Sequence, residues 1–256
     1  MNLVIENMSF TLGAMAALKT SRSIFFEGEG SDLALATGTD AASENWAFFP
    51  PCASRAIDEK VVKQVCCFFA DLELPFIWPL FPEAAAEGRV LEESGMFARG
   101  ELLAMERAIF PTEKDSSLAS LTFEINKEPD IWAETTWMAF GSPPGAPGSF
   151  MDLARGLRDS KGFCLVLAKK GDLPVGTFML TLSGGSAGIY YFATLPQERK
   201  KGVGDAMLHE IARLAFEMGC SILTLQATPI GAPFYASRGF EPLFRLPVYS
   251  FSEDVM

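Results

Sequence analysis

The segment LPQERKKGVGDAML, residues 195–208, combines basic residues, glycines and the start of an apolar helix pattern. Three basic residues, 199–201, come directly before Gly202, and Gly204 follows two positions after it. The first amides of a helix lack hydrogen-bond partners and carry about half a positive charge. Glycines let the backbone approach a ligand closely. The segment therefore predicts an anion site of the kind that holds a pyrophosphate.

The spacing separates three kinds of phosphate-binding loop. The Walker pattern G-x-x-x-x-G-K-[ST] is absent. The Rossmann pattern G-x-G-x-x-G/A fails because Met207 stands at its last position and because an antiparallel hairpin is predicted before the turn. The pattern R-x-x-G-x-G is matched by Arg199, Gly202 and Gly204. The alternative is a plain tight turn with solvated lysines, which the order of the flanking elements disfavours.

A second motif follows one helix later. The segment LQATPIGAPFYASRGFEPL, residues 225–243, predicts a strand, a short helix that contains Tyr235, and then Gly-Phe. Together with ATLPQERKKGVGDAML, it resembles the hallmark segments of the GNAT superfamily of N-acetyltransferases. The resemblance covers about residues 120–256 and is most specific over residues 189–245.

This resemblance implies acetyl-CoA as co-substrate and no metal. In the family, the strand before the glycine turn separates from its neighbour and pairs with the pantetheine arm. The pyrophosphate would lie on the amides of residues 199–204. Asp205 is an acid beside a phosphate site but also a favoured first-turn residue, so we expect it to cap the helix and point away from the ligand. The implied coenzyme contacts are Thr194, Leu195, Arg199, Lys200, Lys201, Gly202, Val203, Gly204 and Asp205.

The resemblance also implies direct transfer of acetyl from a thioester to an amine. Tyr235 stands at the family's general-acid position, four residues before Gly239, and a tyrosine is protonated at neutral pH; otherwise it is a core aromatic. An amide near residues 192–194 would polarise the thioester carbonyl. Some members carry a basic glutamate on the strand before the turn, but AGIYYFATL has no carboxylate. Water, Tyr190, Tyr191 or a residue of another strand are the alternatives.

The patterns around these motifs predict the elements that position them. Helical periodicity, hairpin turns and a closing glycine at position 219 set the boundaries. In order we predict a strand at 121–125, helices at 129–140 and 150–158, three hairpin-connected strands within 163–195, a helix at 203–218, a strand, a short helix and the last strands. This order is typical of an α+β fold with a GNAT-like mixed, mostly antiparallel sheet flanked by helices.

The first half repeats part of this order. The polar segment PTEKDSS, residues 111–117, separates the halves, so we predict two domains, 1–118 and 119–256. After FFPPCASRAIDEK the chain predicts a helix, a strand, a short helix ending near Gly95 and a strand. No G-x-G precedes them. We therefore predict a degenerate GNAT-like domain in tandem, without a cofactor loop; an unrelated α/β domain is the alternative.

Charge and composition exclude several functions. The net charge is −11, and residues 1–120 hold 18 acidic and 9 basic residues. Such a chain is a poor nucleic-acid binder, whereas a cationic amine would be attracted to it. The chain has one histidine, His209, which argues against His-rich zinc sites and Ser-His-Asp catalysis.

The combined prediction is an acetyl-CoA-dependent N-acetyltransferase acting on a primary amine of a small molecule or peptide. The alternative is a non-catalytic acyl-CoA-binding sensor or assembly module. No run of about 18 apolar residues and no positively charged leader is present, so we expect a cytoplasmic protein without a membrane partner. A monomer and a homodimer both agree with the sequence.

Overall fold

The structure is a computed structural model that describes residues 2–26, 32–51, 56–110, 121–142 and 148–251. The helices are α1 (Leu3–Ala16), α2 (Glu59–Asp71), α3 (Gly88–Glu93), α4 (Pro129–Ala139), α5 (Gly148–Arg158), α6 (Val203–Glu217) and α7 (Ala232–Ala236). The strands are β1 (Arg22–Phe25), β2 (Leu33–Ala36), β3 (Trp46–Phe48), β4 (Trp78–Pro79), β5 (Phe97–Ala108), β6 (Thr122–Ile125), β7 (Phe163–Lys170), β8 (Leu173–Ser183), β9 (Ser186–Thr194), β10 (Ile222–Ala227) and β11 (Glu241–Ser250).

Eight strands form one sheet in the order β4-β11-β5-β10-β9-β8-β7-β6. Its neighbours are antiparallel except for β9 and β10, which run parallel. Helices α1, α4 and α5 pack on one face and α6 packs on the other, so β7 and most of β8 are buried on both sides. The predicted fold class, a mixed and mostly antiparallel sheet flanked by helices, is confirmed.

Strands β9 and β10 part soon after they meet. Residues 186–188 pair with residues 222–224, and no pairing of the two strands continues beyond them in the described chain. On its other side, β9 remains paired with β8 as far as Thr194. Residues 189–194 therefore present a free strand edge toward β10.

Two glycines bound the helix that follows this edge. Gly202 precedes α6 with φ +82°, and Gly219 follows it with φ +81°. Only glycine adopts this left-handed conformation at low cost. Between them, the apolar side of α6 is buried against the sheet through Val203, Met207 and Ile211. The helix thus points its N-terminus at the end of β9.

The first half of the chain is built into the same sheet. Strand β5 lies between β10 and β11 and pairs antiparallel with both, and β4 pairs with β11. Strands β1 to β3 form a separate three-stranded sheet, and α1 packs on β8 and β9. The predicted boundary near residue 118 falls outside the described residues and stays a prediction.

The order α2, β4, α3, β5 agrees with the predicted helix, strand, short helix and strand. The expectation of several strands at the end of the chain is wrong, since one long strand, β11, forms along β5. The sequence patterns do not predict helix α1 or strands β1 to β3. Among the described residues, no helix has the length and apolar character needed to cross a bilayer.

Candidate active site

The glycine turn and the free edge of β9 line one cleft of about 430 Å³. The end of α4 and two side chains of the α7 region, Phe234 and Arg238, complete its wall. Of the nine predicted coenzyme contacts, six line the cleft: Thr194, Arg199, Lys200, Gly202, Gly204 and Asp205. Leu195 and Val203 are buried instead, and Lys201 is exposed beside the turn.

The backbone of the turn leaves a series of amides open. Lys200 and Gly202 both have left-handed backbones, with φ +60° and +82°. The amides of residues 200–205 have no hydrogen-bond partner among the described residues, and Ala206 is the first to bond back, to the Gly202 carbonyl at 3.0 Å. Consecutive free amides at a helix start bind anions, so the turn has the geometry of a phosphate site.

Gly204 lets the start of α6 pack against α7. A Cβ atom at this position would lie 3.2 Å from Cζ of Phe234. Such a contact is closer than side chains normally tolerate, so a larger residue would move the Phe234 ring that lines the cleft. Glycine is therefore required at the two positions for different reasons: the backbone conformation requires it at Gly202, and the lack of space beside Phe234 requires it at Gly204.

Asp205 does not cap α6, so that expectation is wrong. The N-terminus of α6 has no side-chain hydrogen bond, and the Asp205 carboxylate instead accepts one from Nε of Arg238 at 2.5 Å. The same guanidinium lies 3.7 Å above the Phe234 ring. Because Arg238 balances its charge, the Asp205 carboxylate is less repulsive to a phosphate in the cleft.

Arg199 ties the turn to its surroundings. Its Nη2 donates to the Ala139 carbonyl at 2.7 Å and its Nε to the Thr194 carbonyl at 3.2 Å. Its own amide points to the carbonyl of Pro196, at 3.3 Å. The expectation that the Arg199 amide belongs to the free series is wrong, and its side chain holds the turn against α4 and β9.

The expectation of a free Leu195 backbone is also wrong for its amide, which donates to the Val175 carbonyl of β8 at 3.0 Å. Hydrogen bonding alternates along an antiparallel strand, so the Thr194 amide points to the free edge. Lys201 forms an ion pair with Glu198 at 3.2 Å. Lys200 is thus the lysine of this turn that lines the cleft without an ion-pair partner among the described residues.

A bulge reshapes β9 just before the cleft. Tyr191 and Phe192 together oppose one residue of β8, Phe178, and Tyr191 has φ +49°. The Trp132 indole donates to the Phe178 carbonyl at 3.1 Å, and the Thr177 hydroxyl bonds the Tyr191 carbonyl at 3.3 Å. Bulges re-aim side chains: here Tyr191 packs with the core of α1, α4 and α5, while Phe192 lines the cleft.

A second, smaller cavity of about 100 Å³ lies beside the bulge, because residues at and just before the bulge line it. Tyr190 and Tyr191 of β9, Gln226 of β10, α1 and Glu44 line it. The Tyr191 hydroxyl donates to Oε2 of Glu44 at 2.6 Å, and burial raises the pKa of Glu44 to about 7. The sequence does not single out Glu44, since nothing in its local pattern separates it from the other acids of the first half.

Comparison with protein families decides what kind of domain carries this cleft. Residues 130–240 match the model of the acetyltransferase (GNAT) family. This part of the chain is a GNAT domain. The match begins in α4 and ends just before β11, so it includes the glycine turn, the free edge of β9 and α7.

Solved structures extend the likeness to the whole fold. A GCN5-related N-acetyltransferase from Kribbella flavida is 17% identical with a TM-score of 0.67, and the alignment covers 98% of this chain and 96% of that one. A GCN5-related N-acetyltransferase from Sphaerobacter thermophilus is 16% identical with a TM-score of 0.56, over 75% of this chain and 66% of that one. At these identities the likeness shows the fold alone. A search of curated proteins finds no match.

In the GNAT domain, Tyr235 lies on α7 beside the cleft but does not line it. Its ring packs against Phe192 and Phe240, with centroids 5.8 and 5.4 Å away. Its hydroxyl has no hydrogen-bond partner within the described part of the chain. Burial raises the pKa of Tyr235 above its ordinary value, so the hydroxyl keeps its proton at neutral pH. Its role as the acid stays a prediction.

Proposed function

We propose that the protein is an acetyl-CoA-dependent N-acetyltransferase that moves acetyl from the thioester to a primary amine of a small molecule or peptide. The observation that supports this most is the open start of α6, where the amides of residues 200–205 are free beside an unpaired strand edge. GNAT domains use acetyl-CoA, which has a pyrophosphate and an amide-containing arm. The two features of the cleft suit these two parts of the coenzyme.

Each part of the coenzyme has candidate partners. The amides of residues 200–204 and the Lys200 ammonium group would hold the pyrophosphate. The free edge of β9, with the Thr194 amide, would pair with the pantetheine arm as another strand would. Arg199 and the Asp205–Arg238 pair keep the turn and α7 in place around them.

The chain's own groups would then act on the transfer. Acetyl-CoA supplies the activated acetyl group when bound. The bulge at Tyr191 and Phe192 orients backbone amides near the end of the free edge, where one of them would polarise the thioester carbonyl. Tyr235 would donate a proton to the departing sulfur. Holding both substrates together supplies the rest of the rate.

A non-catalytic acyl-CoA sensor is the second candidate. It is favoured by one observation: Tyr235 does not line the cleft, and its ring is packed among three aromatic rings. A sensor would retain the anion site and the strand edge but would release no acetylated product.

The Tyr235→Phe variant distinguishes an acetyltransferase from a non-catalytic acyl-CoA sensor. For the enzyme, we expect kcat to fall about 100-fold on a panel of primary amines while the Kd for acetyl-CoA is unchanged, because only proton donation is lost. The matched control is Tyr249→Phe on β11, which leaves both values unchanged. Binding of acetyl-CoA without product from any amine in the wild type would identify a sensor and contradict the proposal.

A further inference from the structure

The cavity beside Glu44 suits the amino end of the acceptor. We propose that it binds a primary ammonium group on an apolar body, with Glu44 as its counter-ion and as the acceptor of its proton. This rests on the proposed acetyltransferase function, and it assigns a catalytic role to a residue of the first half of the chain. Glu44 precedes β3 and lies 147 residues away from its partner Tyr191 in sequence.

The wall of the cavity has the chemistry that recognises an ammonium group. Glu44 is the charged residue among those that line it in the described chain, and three aromatic side chains accompany it: Trp46, Tyr190 and Tyr191. A carboxylate combined with aromatic faces attracts a cation both by charge and by the ring quadrupole. The wall would reject an anion.

The rest of the wall is apolar or neutral. Met8, Leu12 and Met15 of α1 form one side, and methionine adapts its shape to different apolar groups. Thr11 and Ser43 add hydroxyls without charge. We therefore expect a monoamine with an aliphatic or aromatic body to bind better than a diamine, whose second ammonium group would find no second carboxylate among the described residues of the wall.

An unpaired donor in the wall also points to a missing polar partner. Nε2 of Gln226 is buried beside the Tyr190 hydroxyl, and no hydrogen bond of good geometry satisfies it among the described residues. Because an amide N–H only donates, its missing partner is an acceptor, such as a water molecule or the nitrogen lone pair of the amine after Glu44 has taken its proton, and not the ammonium ion itself. Gln226 lies on β10, opposite Tyr190 and Tyr191, where the two parallel strands have parted.

The cavity is placed to deliver the amine to the cleft. Tyr190 and Tyr191 line the cavity, and Phe192, Ala193 and Thr194 line the cleft, so consecutive residues of β9 serve both. The bulge at Tyr191 and Phe192 divides the two sets. An amine in the cavity and a thioester along the free edge would therefore meet at the bulge.

The proposed proton transfers balance. The ammonium group loses one proton to the Glu44 carboxylate, which later releases it to water. The amine nitrogen then attacks the carbonyl carbon of the thioester, the new C–N bond forms and the C–S bond breaks. The second nitrogen proton leaves to solvent, and the thiolate takes one from Tyr235, which is protonated again from solvent. The products are the amide, the free thiol of coenzyme A and one proton.

The protonation of Glu44 predicts a pH dependence. With its pKa raised to about 7, Glu44 is mostly neutral below pH 6 and mostly anionic at pH 8. Among the described residues that line the cavity, the other titratable groups are Tyr190 and Tyr191, and burial raises the pKa of both phenols, so they stay neutral throughout. Binding of an alkylammonium ion should therefore weaken about 30-fold from pH 8 to pH 5.5, following the ionised fraction.

The test is a calorimetric titration with hexylamine at pH 8 and at pH 5.5, in the presence and absence of coenzyme A. We expect wild-type protein to bind hexylamine at pH 8, and Glu44→Gln to bind it at least 10-fold more weakly and without the pH dependence. Hexanol, which has the same chain without the charge, should bind weakly to both. The matched control is Asp40→Asn, which removes an exposed acid four residues away and should behave as wild type.

Acetyl transfer to hexylamine is measured separately, so the two proposals fail in different ways. If the wild type does not bind hexylamine at all, or if Glu44→Gln binds it equally well, the assignment of this cavity is overturned, whether or not acetyl transfer occurs. Equal kcat/KM in wild type and Glu44→Gln would also overturn it. Amine binding that depends on Glu44 supports the assignment even if no transfer is seen, in which case the enzyme proposal fails alone.

Discussion

In the proposed duplication, helices α2 and α6 would correspond to each other, but their N-termini differ. At α2, Asp58 accepts a hydrogen bond from the Val61 amide at 2.8 Å, and Glu87 accepts one from the Ile57 amide at 3.1 Å. At α6, the residue before the helix is Gly202, which has no side chain, and the amides of residues 200–205 are free. A carboxylate of the chain itself caps the start of α2, while the start of α6 has no side-chain cap and is open to an external anion.

This difference at the helix starts shows that the two halves of the chain supply different parts of the candidate site. A carboxylate at a helix start satisfies the same amides that a phosphate would, and its charge repels a phosphate. The first half therefore offers no anion site at α2 in its described part, but it supplies Glu44 to the smaller cavity and β5 to the shared sheet. The second half supplies the cleft.

The strand order supports the proposal that the halves are duplicated domains. Strands β4 and β10 each flank a central antiparallel pair, β5 and β11, in the order β4-β11-β5-β10. Trp46 of β3 forms a parallel bridge with Ile77, the residue before β4. This bridge resembles the parallel pairing of β9 and β10 in the second half. Each half would thus place its last strand beside a strand of the other half: β5 pairs with β10, and β11 pairs with β4.

The largest expected effect comes from making the start of α6 resemble that of α2. A carboxylate in Gly202→Glu would lie beside the free amides and repel the pyrophosphate, so we expect the affinity for acetyl-CoA to fall at least about 100-fold, or about 2.7 kcal/mol. Calorimetric titration measures the change.

The matched control is Gly219→Glu at the other end of the same helix. Both glycines have positive φ, and an added Cβ would have no neighbour within 4 Å at either one. The two variants therefore impose similar backbone strain, but only the first adds charge to the turn. Equal losses of affinity in both would show that strain, not occupation of the anion site, explains the effect.

A smaller effect is expected at the closed helix start. Asp58→Ala removes the carboxylate that bonds the Val61 amide, so the free energy of unfolding should fall by about 1 kcal/mol. Urea denaturation measures it. Asp71→Ala, at the last residue of α2, should change it by less than about 0.5 kcal/mol, because an acid at that end has no capping role. An unchanged stability in Asp58→Ala would refute the difference between the two helix starts.

Local patterns predicted the parts of the site that are built by neighbouring residues. The glycine turn, α6 and the hairpin-connected strands follow from turn residues and periodicity within a few positions of each other. The errors concern long-range contacts. Asp205 bonds Arg238, 33 residues later, instead of capping its own helix, and the Leu195 amide is used by β8. Glu44 becomes distinctive only because α1 and β9 bury it.

The most direct test of the account is the number of acetyl-CoA molecules that one chain binds. Calorimetric titration of the wild type should give one site per chain with micromolar affinity, and adenosine diphosphate alone should bind more weakly because it lacks the arm that pairs with β9. Two sites would contradict the difference between α2 and α6. No binding would mean that the open start of α6 is a structural feature of the GNAT domain without a ligand, and the enzyme proposal would fall with it.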